Sequence, residues 1–135
     1  MGDQAPLTTT RQTQAPAVAT AGNDATTVLM QAPYDCTVTR VRYVPAAAIT
    51  GAATNNRTIS LVNKGQAGSG STTVATLTFG SGTNAAAFDD TDVTLSGTAA
   101  NLVLAAGDTL AWASIHNNTG ITDPGGLVVV DFSRN

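Results

Sequence analysis

The stretch Leu-Val-Val-Val-Asp-Phe-Ser at 127–133 puts Val128, Val130 and Phe132 on one face of an extended segment, because successive side chains of a strand point to opposite sides. Valine and phenylalanine at a period of two read as a strand with one face in a core. The same alternation recurs upstream, at Ile59 and Leu61, at Ala75, Leu77 and Phe79, and at Val93 and Leu95. Working outward from these positions, short apolar runs mark strands at 26–32, 36–44, 57–63, 73–79, 92–96, 101–104, 109–116 and 127–133. Turn-rich breaks separate them, and that spacing predicts two packed sheets rather than βαβ units.

Within 36–44 the period slips. Val38 is out of phase with Val41 and Tyr43, and a β-bulge near Thr39 or Arg40 reconciles them. The breaks carry turn chemistry: Ala-Pro-Tyr-Asp at 32–35, Gly-Gln-Ala-Gly-Ser-Gly at 65–70, Gly-Ser-Gly-Thr-Asn at 80–84, Gly107-Asp108 and Asp-Pro-Gly-Gly at 123–126. The stretches 46–53 and 85–87 have room for one helical turn each, and no repeat of fixed period runs through the chain.

Composition points the same way. A chain of 135 residues is sized for one domain and one core. Threonine and alanine each occur 23 times and glutamate is absent, a balance that suits pleated strands and turns better than helix surfaces. A net charge of −3 with six Lys and Arg forms no basic stripe, so nucleic acid is not expected as a partner. Cys36 stands alone and reads as a small apolar strand residue. Neither a basic, then apolar, N-terminal signal nor a run of about 18 apolar residues is present, so a soluble chain with no membrane partner is expected. Residues 1–24 hold only Leu7 and Val18 as sizeable apolar side chains. So little burial does not offset the entropy of ordering, which predicts a flexible or partner-ordered N-terminal arm before a β-sandwich at 25–135.

Few residues offer chemistry. His116 is the only histidine, with Asp92 or Asp108 available to orient it, but no nucleophile sits in a strand-turn-helix context; an enzyme is not expected. Asp89, Asp90 and Asp92 bring three carboxylates within four residues. That density suits a hard cation, yet the pattern lacks the terminal glutamate of an EF-hand and reads as a solvated acidic turn, so no metal or cofactor is expected. Arg40 and Arg42 share one strand face, open to water or to an acidic partner surface. Trp112 reads as core, with sugar stacking as the alternative. Gly68-Ser69-Gly70 lacks the lysine and the helix that a phosphate cradle needs. The candidate partner-contact residues are Leu7, Arg11, Val18, Arg40 and Arg42.

Five stretches carry a resemblance: Val-Arg-Tyr-Val-Pro at 41–45, Ala-Ile-Thr-Gly at 48–51, Arg-Thr-Ile-Ser-Leu-Val-Asn-Lys-Gly at 57–65, Ala-Ala-Gly-Asp-Thr-Leu at 105–110 and Asp-Pro-Gly-Gly-Leu-Val-Val-Val at 123–130. Together, from Val38 to Phe132, they resemble small head-decoration proteins of tailed bacteriophages. The resemblance implies a jelly-roll-like antiparallel β-sandwich with an extended N-terminal arm, acting as a capsid cement. It further implies a homotrimer made in the host cytoplasm and bound to the major capsid protein on the outer surface of the virion. A receptor- or carbohydrate-binding module of a phage fibre or tail, using Trp112, Tyr43 and the glycine loops, is the alternative, and a hydrolase relying on His116 is a more distant one.

Overall fold

The structure, a computed structural model, describes residues 7–135. Its strands are β1 (Thr8–Ala15), β2 (Ala25–Gln31), β3 (Cys36–Pro45), β4 (Asn56–Asn63), β5 (Thr72–Thr78), β6 (Thr91–Leu95), β7 (Val103–Leu104), β8 (Thr109–Asn117) and β9 (Gly126–Arg134). Seven of the eight expected strands lie within one residue of their expected ends. The eighth, 101–104, begins as the 3-10 turn Ala99–Leu102 and only ends as β7.

All pairings are antiparallel, in the order β1-β9-β3-β6-β5-β4-β8-β2, with β7 beside β3. β6 turns the corner between two layers: Thr91, Asp92 and Val93 pair with β3, whereas Thr94 and Leu95 pair with β5. One layer is thus β1-β9-β3-β6 and the other β2-β8-β4-β5. The chain crosses between layers in the manner of a jelly roll, two Greek keys folded face to face.

The alternating residues meet in the middle. Val128, Val130 and Phe132 of β9 and Val38, Val41 and Tyr43 of β3 are buried against Ile59 and Leu61 of β4 and Leu110 and Trp112 of β8. The register of β3 on β9 shifts between Val38 and Arg40, so the bulge falls where the phase slip placed it and all three β3 residues reach the core. The Tyr43 and Trp112 rings lie 5.5 Å apart, tilted by 37°. Cys36 is fully buried, and desolvation pushes its thiol pKa up.

The expected boundary after residue 24 needs correction. β1 pairs with β9 along its whole length, from Thr8 opposite Ser133 to Ala15 opposite Gly126, and Val18 bridges to Asp123. The segment holds few sizeable apolar side chains yet folds onto the body, because backbone hydrogen bonds to β9 hold it and burial is asked only of Ala15 and Val18. The first six residues of the expected arm lie outside the described residues. β1 and β2 are the free edges of the two layers, joined across the gap where Thr13 Oγ1 donates to the Leu29 carbonyl at 3.3 Å. Deleting residues 1–24 therefore bares the β9 edge and is expected to make the chain self-associate, as bare edges do. Light scattering checks this; a truncated chain that stays monodisperse contradicts it.

Candidate functional site

Two loops, 46–55 and 79–88, contain no charged residue and are built from alanine, glycine, threonine, asparagine and serine around Ile49, Phe79 and Phe88. They leave the same end of the sandwich and are laced together. Ile49 and Ala85 exchange backbone hydrogen bonds of 2.9 Å each, Gly51 N donates to Asn84 Oδ1 at 2.8 Å, and Ala52 N donates to the Phe79 carbonyl at 3.1 Å. A Cβ on Gly51 would run into the Gly80 and Thr83 carbonyls, so only glycine permits this approach. Further along, Phe88 N donates to the Pro45 carbonyl at 2.9 Å, and Asp90 Oδ2 lies 3.6 Å from Arg42 Nη1.

Phe88 stands at the crest. Its side chain is 80% exposed and its φ is +61°, in the left-handed region that bulky residues avoid. The two other phenylalanines, Phe79 and Phe132, are buried. Ala46, Ala47, Ala48, Ala86 and Ala87 around it are exposed as well. A solvent-facing aromatic ring held in strained backbone by fixed hydrogen bonds is a preorganised apolar knob, the form taken by interface anchors.

Below the loops of this end lies a buried polar network. Arg57, 1% exposed, donates from Nε to the Ile121 carbonyl at 2.7 Å and from Nη2 to the Ala21 and Asn23 carbonyls at 3.0 Å each. Its Nη1 reaches Ser114 Oγ at 3.3 Å, and Ser114 in turn donates to Asp123 Oδ2 at 2.7 Å. Asp123 Oδ1 accepts from the Tyr43 hydroxyl at 2.7 Å and from Gly125 N at 3.0 Å. Burial, and then the Asp123 carboxylate, drive the Tyr43 phenol pKa far above its ordinary value. Arg57 and Asp123 thereby fix the loops 16–24 and 118–125 at the end that carries Phe88.

The residues singled out in the sequence fall elsewhere. Val18, expected to meet a partner, is 6% exposed and spent within the fold, because it bridges to Asp123. Leu7 is 77% exposed at the opposite end, where its carbonyl accepts from Arg134 N at 2.7 Å; Arg11 is exposed on the free edge strand. Arg40 and Arg42 are answered by their own chain: Arg40 Nε donates to Asp92 Oδ1 at 2.9 Å, and Arg42 Nη2 lies 3.4 Å from Asp131 Oδ1. The hydrogen bond to Asp92 raises the Arg40 pKa. Asp90 and Asp92 are taken up in the same ion pairs, and among the described residues no three His, Cys, Asp or Glu gather to hold a metal ion. Trp112 and Tyr43, named for sugar stacking, are buried and offer no ring to a glycan.

His116 pairs with Asp24 rather than with Asp92 or Asp108: Nδ1 lies 2.6 Å from Asp24 Oδ1, and the His116 backbone N donates to the same oxygen at 2.8 Å. The backbone bond first, then the ring, hold the Asp24 pKa below the usual carboxylate value. A depressed folded-state pKa stabilises the fold above the unfolded value, and this stabilisation fades as pH falls through the folded one. Asp24→Asn is therefore expected to flatten the acid limb of the stability profile, measured as denaturation midpoints from about pH 2 to 6. An acid limb identical to wild type contradicts this.

One sequence signal points to the site. Phe88 is a lone large apolar residue outside any alternating run, set between a glycine and alanine loop and two aspartates. The chain matches no family model, no curated protein and no solved structure. Its class is therefore stated by fold, an antiparallel jelly-roll sandwich.

Proposed function

We propose that this chain is a non-enzymatic structural protein of a tailed bacteriophage that decorates and stabilises the capsid by binding the major capsid protein lattice from outside. The observation that carries the reading is the charge-free, hydrogen-bonded loop pair presenting Phe88 to solvent at φ +61°. Such a knob gives little to a lone molecule, yet its preorganisation lowers the entropy cost of docking. The resemblance from Val38 to Phe132 supplies the class of partner. Cementing needs surface complementarity alone, since anything that binds only the assembled state shifts the equilibrium toward assembly. A homotrimer, as the resemblance implies, would gain further from multivalency.

The test is to incubate the full chain with undecorated capsids from a panel of tailed phages and image them by electron cryomicroscopy. Added density on the outer lattice, with loops 46–55 and 79–88 against the shell, is the expected result. Bare shells across the panel would sink the proposal.

A further inference from the structure

The end of the sandwich that carries Phe88 is also its acidic end. Its loops, 16–24, 46–55, 79–90 and 118–125, contain Asp24, Asp89, Asp90 and Asp123 and no lysine or arginine. At the opposite end the segments 32–35, 64–71, 96–102 and 105–108 set Asp35 and Asp108 against Lys64, with Arg134 stacked on the Tyr34 ring beside them. Three of the four aspartates at the Phe88 end are answered by the chain itself. Asp24 meets His116, Asp123 sits in the buried network with Ser114 and Tyr43, and Asp90 lies 3.6 Å from Arg42 Nη1 and 3.9 Å from Arg40 Nη2. Asp89 is exposed, and among the described residues it is the one aspartate whose carboxylate has neither an ion pair nor a hydrogen bond.

This carboxylate cannot move away from the anchor. Phe88 and Asp89 are consecutive, so their Cα atoms are about 3.8 Å apart. Phe88 N is bound to the Pro45 carbonyl, Asp89 N donates to the Ala86 carbonyl at 3.4 Å, and Asp90 is tied to Arg42 and Arg40, so the crest is fixed on both sides of Asp89. A surface that takes up the Phe88 ring therefore meets Asp89 at its margin. A carboxylate pressed against an uncharged surface sheds water and receives nothing in return, which opposes the gain from burying the ring. A lysine or arginine at that margin replaces the lost water with a charge-assisted hydrogen bond. On the reading of Phe88 as the docking anchor, on which this depends, we infer that the shell surface receiving the ring is an apolar pocket with a lysine or arginine on its rim, and that Asp89 pairs with this cation. The pair lies at the edge of the contact, where charges act through steering and register: the acidic end turns toward the cation before contact, and association is fastest at low salt.

Biolayer interferometry of the full chain on immobilised undecorated tailed-phage capsids tests this, with Asp89→Asn and Asp89→Lys as variants and thermal melts to verify that each folds. Ser69→Lys is the control: it gives the chain the same net charge as Asp89→Asn, from an exposed loop at the far end. A strand of nine residues separates the two ends by about 30 Å, roughly three Debye lengths at about 0.1 M salt. At about 0.05 M salt the association rate is expected to fall about threefold in Asp89→Asn and about tenfold in Asp89→Lys, and to stay near wild type in Ser69→Lys; by about 0.5 M salt the four proteins converge. A wild-type rate indifferent to salt, or equal slowing in Asp89→Asn and Ser69→Lys, overturns the rim cation and leaves the Phe88 anchor standing. Sedimentation of the free chain supplies a further arm: self-association that Asp89→Lys abolishes would assign the crest to a second copy and overturn the proposal. A chain that binds no shell defeats the rim cation together with the decoration reading.

Discussion

Asp123→Ala is expected to lower folding stability by about 3–5 kcal/mol, a large part of the ~5–15 kcal/mol that a domain possesses. The carboxylate accepts three hydrogen bonds at a site 2% exposed, and truncation orphans the Tyr43 hydroxyl, the Ser114 hydroxyl and Gly125 N together. Buried donors without acceptors cost about 1–3 kcal/mol each, and relaxation recovers only part of that. Arg57 would also lose the carboxylate it reaches through Ser114, leaving a buried cation answered only by three carbonyls and the Ser114 hydroxyl. A loss of this size corresponds to a fall in Tm of the order of 10 °C. Asp123→Asn, which keeps the shape and one acceptor oxygen, should fall between wild type and alanine. Denaturant midpoints measure the series, and an Asp123→Ala protein within about 1 kcal/mol of wild type would show that the network is not what holds this end together.

Phe88→Ala should weaken docking to capsids by about 30-fold or more, the loss of a hot-spot side chain worth ~2 kcal/mol, while leaving stability intact. The ring is 80% exposed and contributes almost nothing to the core, so its truncation leaves no cavity. Phe88→Gly sharpens the contrast: glycine accepts φ +61° without strain, so stability is expected to rise by up to about 1 kcal/mol while docking is still lost. Opposite signs for the two readouts separate an anchor from a structural role. If both variants keep wild-type occupancy, docking runs through another surface, and Leu7 just before β1, Arg11 within it and Arg40 of β3 are the remaining exposed residues picked out by sequence.

What the sequence revealed, and what it hid, follows from which forces leave a pattern. Burial of one sheet face writes a period of two, so Val128, Val130 and Phe132 or Ile59 and Leu61 identify their strands and their inward sides at once. A lost phase is as legible as a kept one, which is why the Val38-to-Val41 slip located a bulge. β1 left no such trace. Thr-Thr-Thr-Arg-Gln-Thr-Gln-Ala buries only Ala15 and is held by main-chain bonds that any sequence can make, although four threonines hinted at strand propensity.

The site was harder to read for a related reason. Arg57 stands in a strand as a surface arginine would, and Asp123 opens an Asp-Pro-Gly-Gly turn where aspartate is common; their meeting through Ser114 depends on three distant segments converging. Arg40 and Arg42 were recognised as a paired feature, but their partners Asp92 and Asp131 become neighbours only through the β9-β3-β6 order. Turn composition marked the loops 46–55 and 79–88, yet nothing local states that Ile49 and Ala85 bridge them into one rigid platform.

The central claim is that the chain acts by hiding shape-matched surface against an assembled shell, and the stability of that shell measures it most directly. Undecorated tailed-phage capsids that bind the chain are heated with rising amounts of it while shell opening is followed by light scattering and dye access to the packaged DNA. The opening temperature is predicted to climb and then saturate as the lattice fills, with Phe88→Ala shifting the curve to higher concentration. An opening temperature that does not move at full occupancy would contradict the account.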